Sequence, residues 1–144
     1  TKAELDSRVE IEYETYAKEI NIEAKAMIDI AAKQIIPAVI KYTTVLAQSI
    51  NAVKSACGAD ISAQTEILTE VSDLLADAQN ALDKLKDVTE KASAMDEGRE
   101  QAVYYRDTVK TAMDELRAPV DKLEMLVDKS MWPMPSYGDL IFEV

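Results

Sequence analysis

"LTEVSDLLADAQNALDKL", residues 68–85, decides the architecture of this chain. Its apolar side chains stand at Leu68, Val71, Leu75, Ala78, Leu82 and Leu85, in alternating steps of three and four. That spacing gathers them on one face of an α-helix and scatters them over both faces of a strand, where side chains alternate with period two. Alternating threes and fours also give the heptad-like seam of a helix that packs along neighbouring helices. The stripe continues outward from Ile61, through Val88 or Thr89 and Ala92, to Met95.

Two further stripes flank it. The earlier one runs Leu5, Val9, Tyr13, Tyr16, Ile20, Ala24, Met27, Ala31, Ile35, Val39, Tyr42, Leu46, Ile50 and Val53, every step being three or four. A helix sustained over that span would measure about 80 Å at 1.5 Å per residue. A compact 144-residue domain cannot cover such a length, so part of the helix must overhang. The later stripe is Ala102, Tyr105, Val109, Met113, Leu116, Val120, Leu123 and Val127.

Breaks between the stripes are few, since the chain holds only three glycines and four prolines. Cys57-Gly58-Ala59-Asp60 is the first stop, with Gly58 suited to a left-handed helix end and Asp60 or Ser62 to the next N-cap. "SAMDEG" (93–98) is the second, with Asp96 as a candidate N-cap. Pro37, in "QIIPAVI", lies inside the first stripe and must kink that helix or break it near Ile36. The unbroken stripe favours the kink, and Pro119 in "RAPVD" poses the same question for the third helix.

The expected fold class is therefore all-α, an antiparallel three-helix bundle with a very long first helix and an extended C-terminal tail. Expected bounds are about 3–56 for helix one, 61–94 for helix two and 97–129 for helix three, with the tail at 130–144, all in a single helical domain (1–144). Short turns make consecutive helices antiparallel neighbours. In this reading the bundle uses the later half of helix one, and residues 1 to about 20 project or pack against the end of the third helix and the tail. Thr1 opens the chain without an initiator methionine, which suggests a fragment of a larger chain.

Charge and residue usage narrow the functions. A net charge of −11 disfavours nucleic acid and anionic membrane surfaces, whose recognition depends on basic patches. No apolar run reaches the roughly 18 residues of a membrane span, and no secretory leader pattern opens the chain. A single cysteine, Cys57, permits no intramolecular disulfide and fits a reducing compartment, by default the cytoplasm. With no histidine, the usual general base and zinc ligand are missing, and Cys57 has no partner to activate its thiol. The scattered Gly58, Gly98 and Gly138 build no phosphate loop. Carboxylates such as Glu10, Glu12, Glu14 and Glu19 read as a solvated helix face. No catalytic, cofactor-binding or metal-binding residue is therefore assigned.

What stands out is "MWPMPSYGDLIFEV" (131–144), which holds the only tryptophan, the only phenylalanine and two of the four prolines. Pro133 and Pro135 force Trp132 and Met134 towards extended backbone, so the tail cannot join a helix. Its apolar residues need cover. The interface candidates are accordingly Trp132, Pro133, Met134, Tyr137, Leu140, Ile141 and Phe142, with Tyr13 and Tyr16 on the overhanging part of helix one.

Two stretches carry a family likeness. "ELRAPVDKLEMLVDKSMWPMPSYGDLIFEV" (115–144) resembles the C-terminal end of type III glutamine synthetases, the long-chain bacterial form, and "SRVEIEYETYAKEINIEAKAMIDIAAKQIIPAVIKY" (7–42) is similar to the start of their C-terminal helical region. The resemblance implies a parent ligase of nitrogen metabolism that uses ATP and a divalent metal such as magnesium to activate the glutamate side chain for attack by ammonia. It also implies stacked rings of subunits. No catalytic motif of that family matches a position here, so the expectation is a non-catalytic C-terminal domain with no cofactor of its own. Its partners would be the catalytic domain of the same chain and neighbouring subunits of a ring-shaped homo-oligomer, with no nucleic acid and no membrane. The alternatives are a docking or regulatory module that binds another protein or an effector, and a free-standing helical scaffold.

Overall fold

A computed structural model describes residues 1–134. The expectations for Tyr137, Leu140, Ile141 and Phe142 lie outside the described residues. Among those described there is no strand, and three helices make an antiparallel bundle. Helix α1 spans Lys2–Ala56, α2 spans Ser62–Ala94, and α3 covers 99–126. A short 3-10 turn, Lys129–Met131, follows.

Pro37 neither breaks α1 nor stands in an ordinary helix interior. A π turn at Ala31–Ile35 precedes it, closed by the Ile36 N–H donating to the Ala31 carbonyl five residues back. Pro37 is thereby the second residue of a fresh α-helical segment, Ile36–Ala56, where a missing N–H costs little. A second π turn, Tyr105–Val109, lies in α3 and is closed by the Lys110 N–H on the Tyr105 carbonyl. Pro119, by contrast, stands inside the regular segment Lys110–Leu126, with its ring buried. α3 stops at Leu126 because Val127 turns extended and the Asp128 carboxylate caps the 3-10 turn, accepting from the Ser130 N–H at 2.9 Å.

The three stripes meet in one core. Ile20, Ala24, Ala31, Ile35 and Val39 of α1 pack with Val71, Ala78, Leu82, Leu85 and Ala92 of α2 and with Tyr105, Val109, Leu116 and Leu123 of α3. Leu82, Leu85, Leu116 and Leu123 are the largest side chains sealed completely from water. Burying each contributes about 1.5–3 kcal/mol relative to leaving it exposed. One polar atom in this interior, the Thr89 hydroxyl, has no hydrogen-bond partner among the described residues.

Which part of α1 meets α3 differs from the sequence reading. The earlier segment, Lys2–Ile30, supplies most of the contact with α3, while Ile36–Ala56 runs along α2 and touches the 3-10 turn. Polar bonds fix this arrangement: the Tyr105 hydroxyl donates to Asn21 Oδ1 at 3.1 Å, joining α3 to α1. Gln101, itself buried, donates to the carbonyls of Ala92 (3.0 Å) and Met95 (3.2 Å), tying the start of α3 to the end of α2. The Ala92 carbonyl also accepts from the Met95 N–H at 3.2 Å, so Gln101 adds a second donor at this helix end.

Both ends of α1 extend past the three-helix section. Nothing before Ala17 is buried, and the turns before Tyr13 form an N-terminal overhang of about 18 Å at 1.5 Å per residue. At the other end nothing between Leu46 and Val71 is buried, so the last turns of α1 and the first of α2 form a two-helix projection. Its tip is Cys57 to Ile61. Gly58 is not left-handed; among the described residues only Gly98 has positive φ, 142°, and it serves as the N-cap of α3. Cys57 ends the helix in extended backbone instead, and the Asp60 carboxylate accepts from the Ser62 N–H at 2.9 Å and from the Ser62 hydroxyl. Both bonds hold the Asp60 carboxyl below its usual pKa.

By length and mean hydropathy, 1.2 over its most apolar 18-residue window, α1 would be apolar enough to cross a membrane. The sequence reading found no such run. Within the bundle the helix is two-faced: Ile35, Ile36 and Val39 are buried while Lys33, Gln34 and Lys41 face water.

Candidate interaction surfaces

Among the described residues no three acidic or cysteine side chains gather where they could hold a metal ion. Cys57 lies exposed at the helix end, away from any cleft. The described residues therefore offer no divalent-metal site of the kind the family likeness implies for its parent, and no chemical step through such a metal follows from them. The strongest electrostatic pairs are solvent-exposed, such as Lys18 with Glu14 at 2.9 Å, Lys33 with Asp29 at 2.7 Å and Lys84 with Glu115 at 2.8 Å. Pairs of this kind add little beyond holding helix faces. Burial pushes the Tyr105 hydroxyl above its usual pKa, and that group is already spent on Asn21.

Two surfaces remain. The first is the overhang of α1, where Leu5 is 61% exposed and Ile11 59% exposed, with Val9, Tyr13 and Tyr16 half-buried. Periodicity put Leu5, Val9, Tyr13 and Tyr16 on the inner stripe, and Tyr16 does pack against the core. Leu5 packs on no core residue among those described, because α2 ends and α3 begins short of it. Ile11 and Ile22 were missed, since neither falls on the stripe; an isoleucine facing water on a helix is the signal that could have found them.

The second surface is a groove of about 490 Å³ between α1 and α3. Met27, Ile30, Ala31 and Ile35 form one wall, and Met113, Leu116 and Val120 form the other. Trp132 and Met134 also line it, so two of the sequence-identified tail residues are brought to it. Trp132 is half-buried against the core, Met134 is 38% exposed, and Pro133 between them faces water. Glu23, Asp121 and Glu124 line the groove as well, with Arg117 as its one cation. The π turn of α1 contributes Ala31 and Ile35 to the wall, and no sequence motif announces that valley.

The family model for the glutamine synthetase C-terminal domain matches residues 1–54. A glutamine synthetase of Butyrivibrio fibrisolvens is 35% identical over 145 aligned residues, covering 100% of this chain and 21% of the relative. A glutamine synthetase of Bacteroides fragilis is 27% identical over 98% of the chain, and a type-3 glutamine synthetase of Dictyostelium discoideum is 28% identical over 96% of it. The chain thus spans about a fifth of the length of these relatives. With its first helix matched by the family model and all of its length aligned to a full-size synthetase, the chain belongs to the glutamine synthetases, as their C-terminal domain.

Proposed function

We propose that this bundle is the non-catalytic C-terminal helical domain of a glutamine synthetase of the type III form, packing on the catalytic domain of its own chain and helping to hold neighbouring subunits in a ring. The parent reaction is glutamate–ammonia ligation driven by ATP with a divalent metal, in the cytoplasm. In this reading every group that binds nucleotide, metal or glutamate belongs to the rest of that protein. The observation that carries the proposal is the overhang of α1: its first turns lie inside the family match and leave Leu5 and Ile11 exposed, with no packing on the core among the described residues. The zero-histidine composition supports the non-catalytic part.

The test uses the full-length enzyme that carries this domain. Leu5→Glu with Ile11→Glu should shift the assembly to smaller species in sedimentation velocity, and glutamine formation should fall with it. Full assembly and full activity in that double variant would overturn the packing role. Separately, the 144-residue chain assayed alone should give no ATP- and ammonia-dependent glutamine; measurable turnover would overturn the non-catalytic reading. Intact rings with altered regulation would instead favour a docking module.

A further inference from the structure

Building on the packing role proposed above, we infer that the apolar stripe of the α1 overhang seats in a groove of the parent enzyme whose rims carry lysine or arginine. Side chains are ordered around the overhang in a way that calls for such rims. At 100° per residue, Leu5 and Tyr13 fall within about 40° of Val9, and Tyr16 continues the same line down to the core. Asp6 and Glu10 stand about 60° and about 100° to one side of that line, and Glu12 stands about 60° to the other. Carboxylates therefore edge the stripe on both sides. Ile11, about 160° from Val9, faces away from this seat.

The bundle leaves those edges unpaired. Glu4 pairs with the N-terminal ammonium at 3.5 Å and Glu14 with Lys18 at 2.9 Å, both on the far side of the helix. Asp6, Glu10 and Glu12 are exposed and form no ion pair among the described residues. From Lys2 to Glu14 five carboxylates stand against two cations, Lys2 and Arg8. Arg8 lies outside Glu12, about 100° from Val9, and leaves the inner edge acidic.

Charge then selects the occupant. A second overhang laid along the stripe would set carboxylate against carboxylate, and a phosphate-bearing surface would do the same. A groove with apolar rims would strip water from three carboxylates and give them no partner, which opposes docking. Lysine or arginine rims satisfy all three while Leu5 and Val9 fill the floor, as an amphipathic helix does in a groove. The seat from Leu5 to Glu12 is about 11 Å long, two turns of helix.

Hydrogen exchange of the amides of residues 6–12 in the full-length enzyme is the test, with Leu5→Glu as the undocked reference and the amides of α2 as the control for folding. Reversing the edges, Asp6→Lys with Glu10→Lys and Glu12→Lys, should speed that exchange about tenfold, to the Leu5→Glu level, and leave α2 unchanged. Glu4→Lys with Glu14→Lys puts lysines at the same helix end but on the far side, and should have little effect. If Leu5→Glu speeds exchange and edge reversal does not, the packing role stands and the basic groove is refuted. Equal acceleration by the far-side pair would also refute the groove, because it would assign the effect to the helix end. Exchange already at the Leu5→Glu level in the unaltered enzyme would overturn the packing role and this inference together.

Discussion

Deleting Gln34 separates the two ways in which α1 could cross Pro37. Gln34 is exposed and lies in the π turn, which holds one residue more than the α-helical turn it replaces. Its removal restores a regular turn and keeps the flanking segments in phase, but the Pro37 ring then meets the carbonyl four residues back, at a cost of about 3 kcal/mol. Adding Pro37→Ala should recover all but about 1 kcal/mol of that loss. Deleting Lys25, equally exposed but in the regular segment Lys2–Ile30, gives a contrast. Everything before it rotates by about 100°, turning Ala17, Ile20 and Ala24 off the core and separating Asn21 from Tyr105. Ile20 contributes about 2–3 kcal/mol and the hydrogen bond about 1, so this deletion loses at least about 3 kcal/mol. Pro37→Ala should rescue none of it. Urea unfolding followed by circular dichroism measures all four variants, compared at a common m-value. If Pro37→Ala fails to rescue the Gln34 deletion, or rescues the Lys25 deletion equally, the π turn is not what accommodates the proline.

Three further outcomes follow from the core and the caps. Leu116→Ala removes a side chain that is sealed from water and lines the groove floor, and should lower stability by about 2–5 kcal/mol in the same urea experiment. Thr89→Val replaces a buried hydroxyl that has no partner among the described residues with a methyl of similar shape; stability should be unchanged or higher by about 1 kcal/mol, and a clear loss would mean that the hydroxyl is bonded. Asp60 and Asp128 have folded pKa values below the usual carboxylate value, so their contribution is present above the unfolded pKa and is lost as pH falls through the folded one. Acid titration of helix content below about pH 4 should therefore show a smaller loss in Asp60→Asn than in the unaltered chain.

Much of this fold is legible in apolar spacing, and the places where it is not have a physical cause. Strict threes and fours from Leu68 to Leu85 describe an uninterrupted α-helix, and α2 is one. Consecutive steps of four, Met27–Ala31–Ile35–Val39 in α1 and Tyr105–Val109–Met113 in α3, drift off a 3.6-residue period by some 40° each. Both π turns lie within those runs, where an extra residue per turn brings the face back to the core. Equal runs of fours, Leu5–Val9–Tyr13 and Tyr42–Leu46–Ile50, lie in regular α-helix, so the drift alone does not mark a π turn. Gly58 misled for a different reason. A glycine after a helix usually takes the left-handed cap, yet here Cys57 goes extended and Asp60 caps the next helix, so the conformational freedom of Gly58 is not used.

Docking surfaces leave a weaker trace in sequence than reaction centres do. A metal or catalytic site demands particular residue types, and the lack of histidine could be read at once. A helix face that meets a partner uses the same leucines and isoleucines at the same spacing as a face that meets its own core. Leu5 and Ile20 occupy equivalent stripe positions, and only the lengths of α2 and α3 decide that one is exposed and the other buried. Those lengths come from the turn between Met95 and Gly98, far along the chain from the residues it leaves uncovered. Trp132 was identifiable because two prolines exclude it from any helix stripe, so its apolar surface had to be covered by something other than helix packing. The groove that receives it is written in no single segment: α1 and α3 each supply an ordinary apolar face, and the valley exists only once Tyr105 on Asn21 and Gln101 on the end of α2 have fixed where α3 lies.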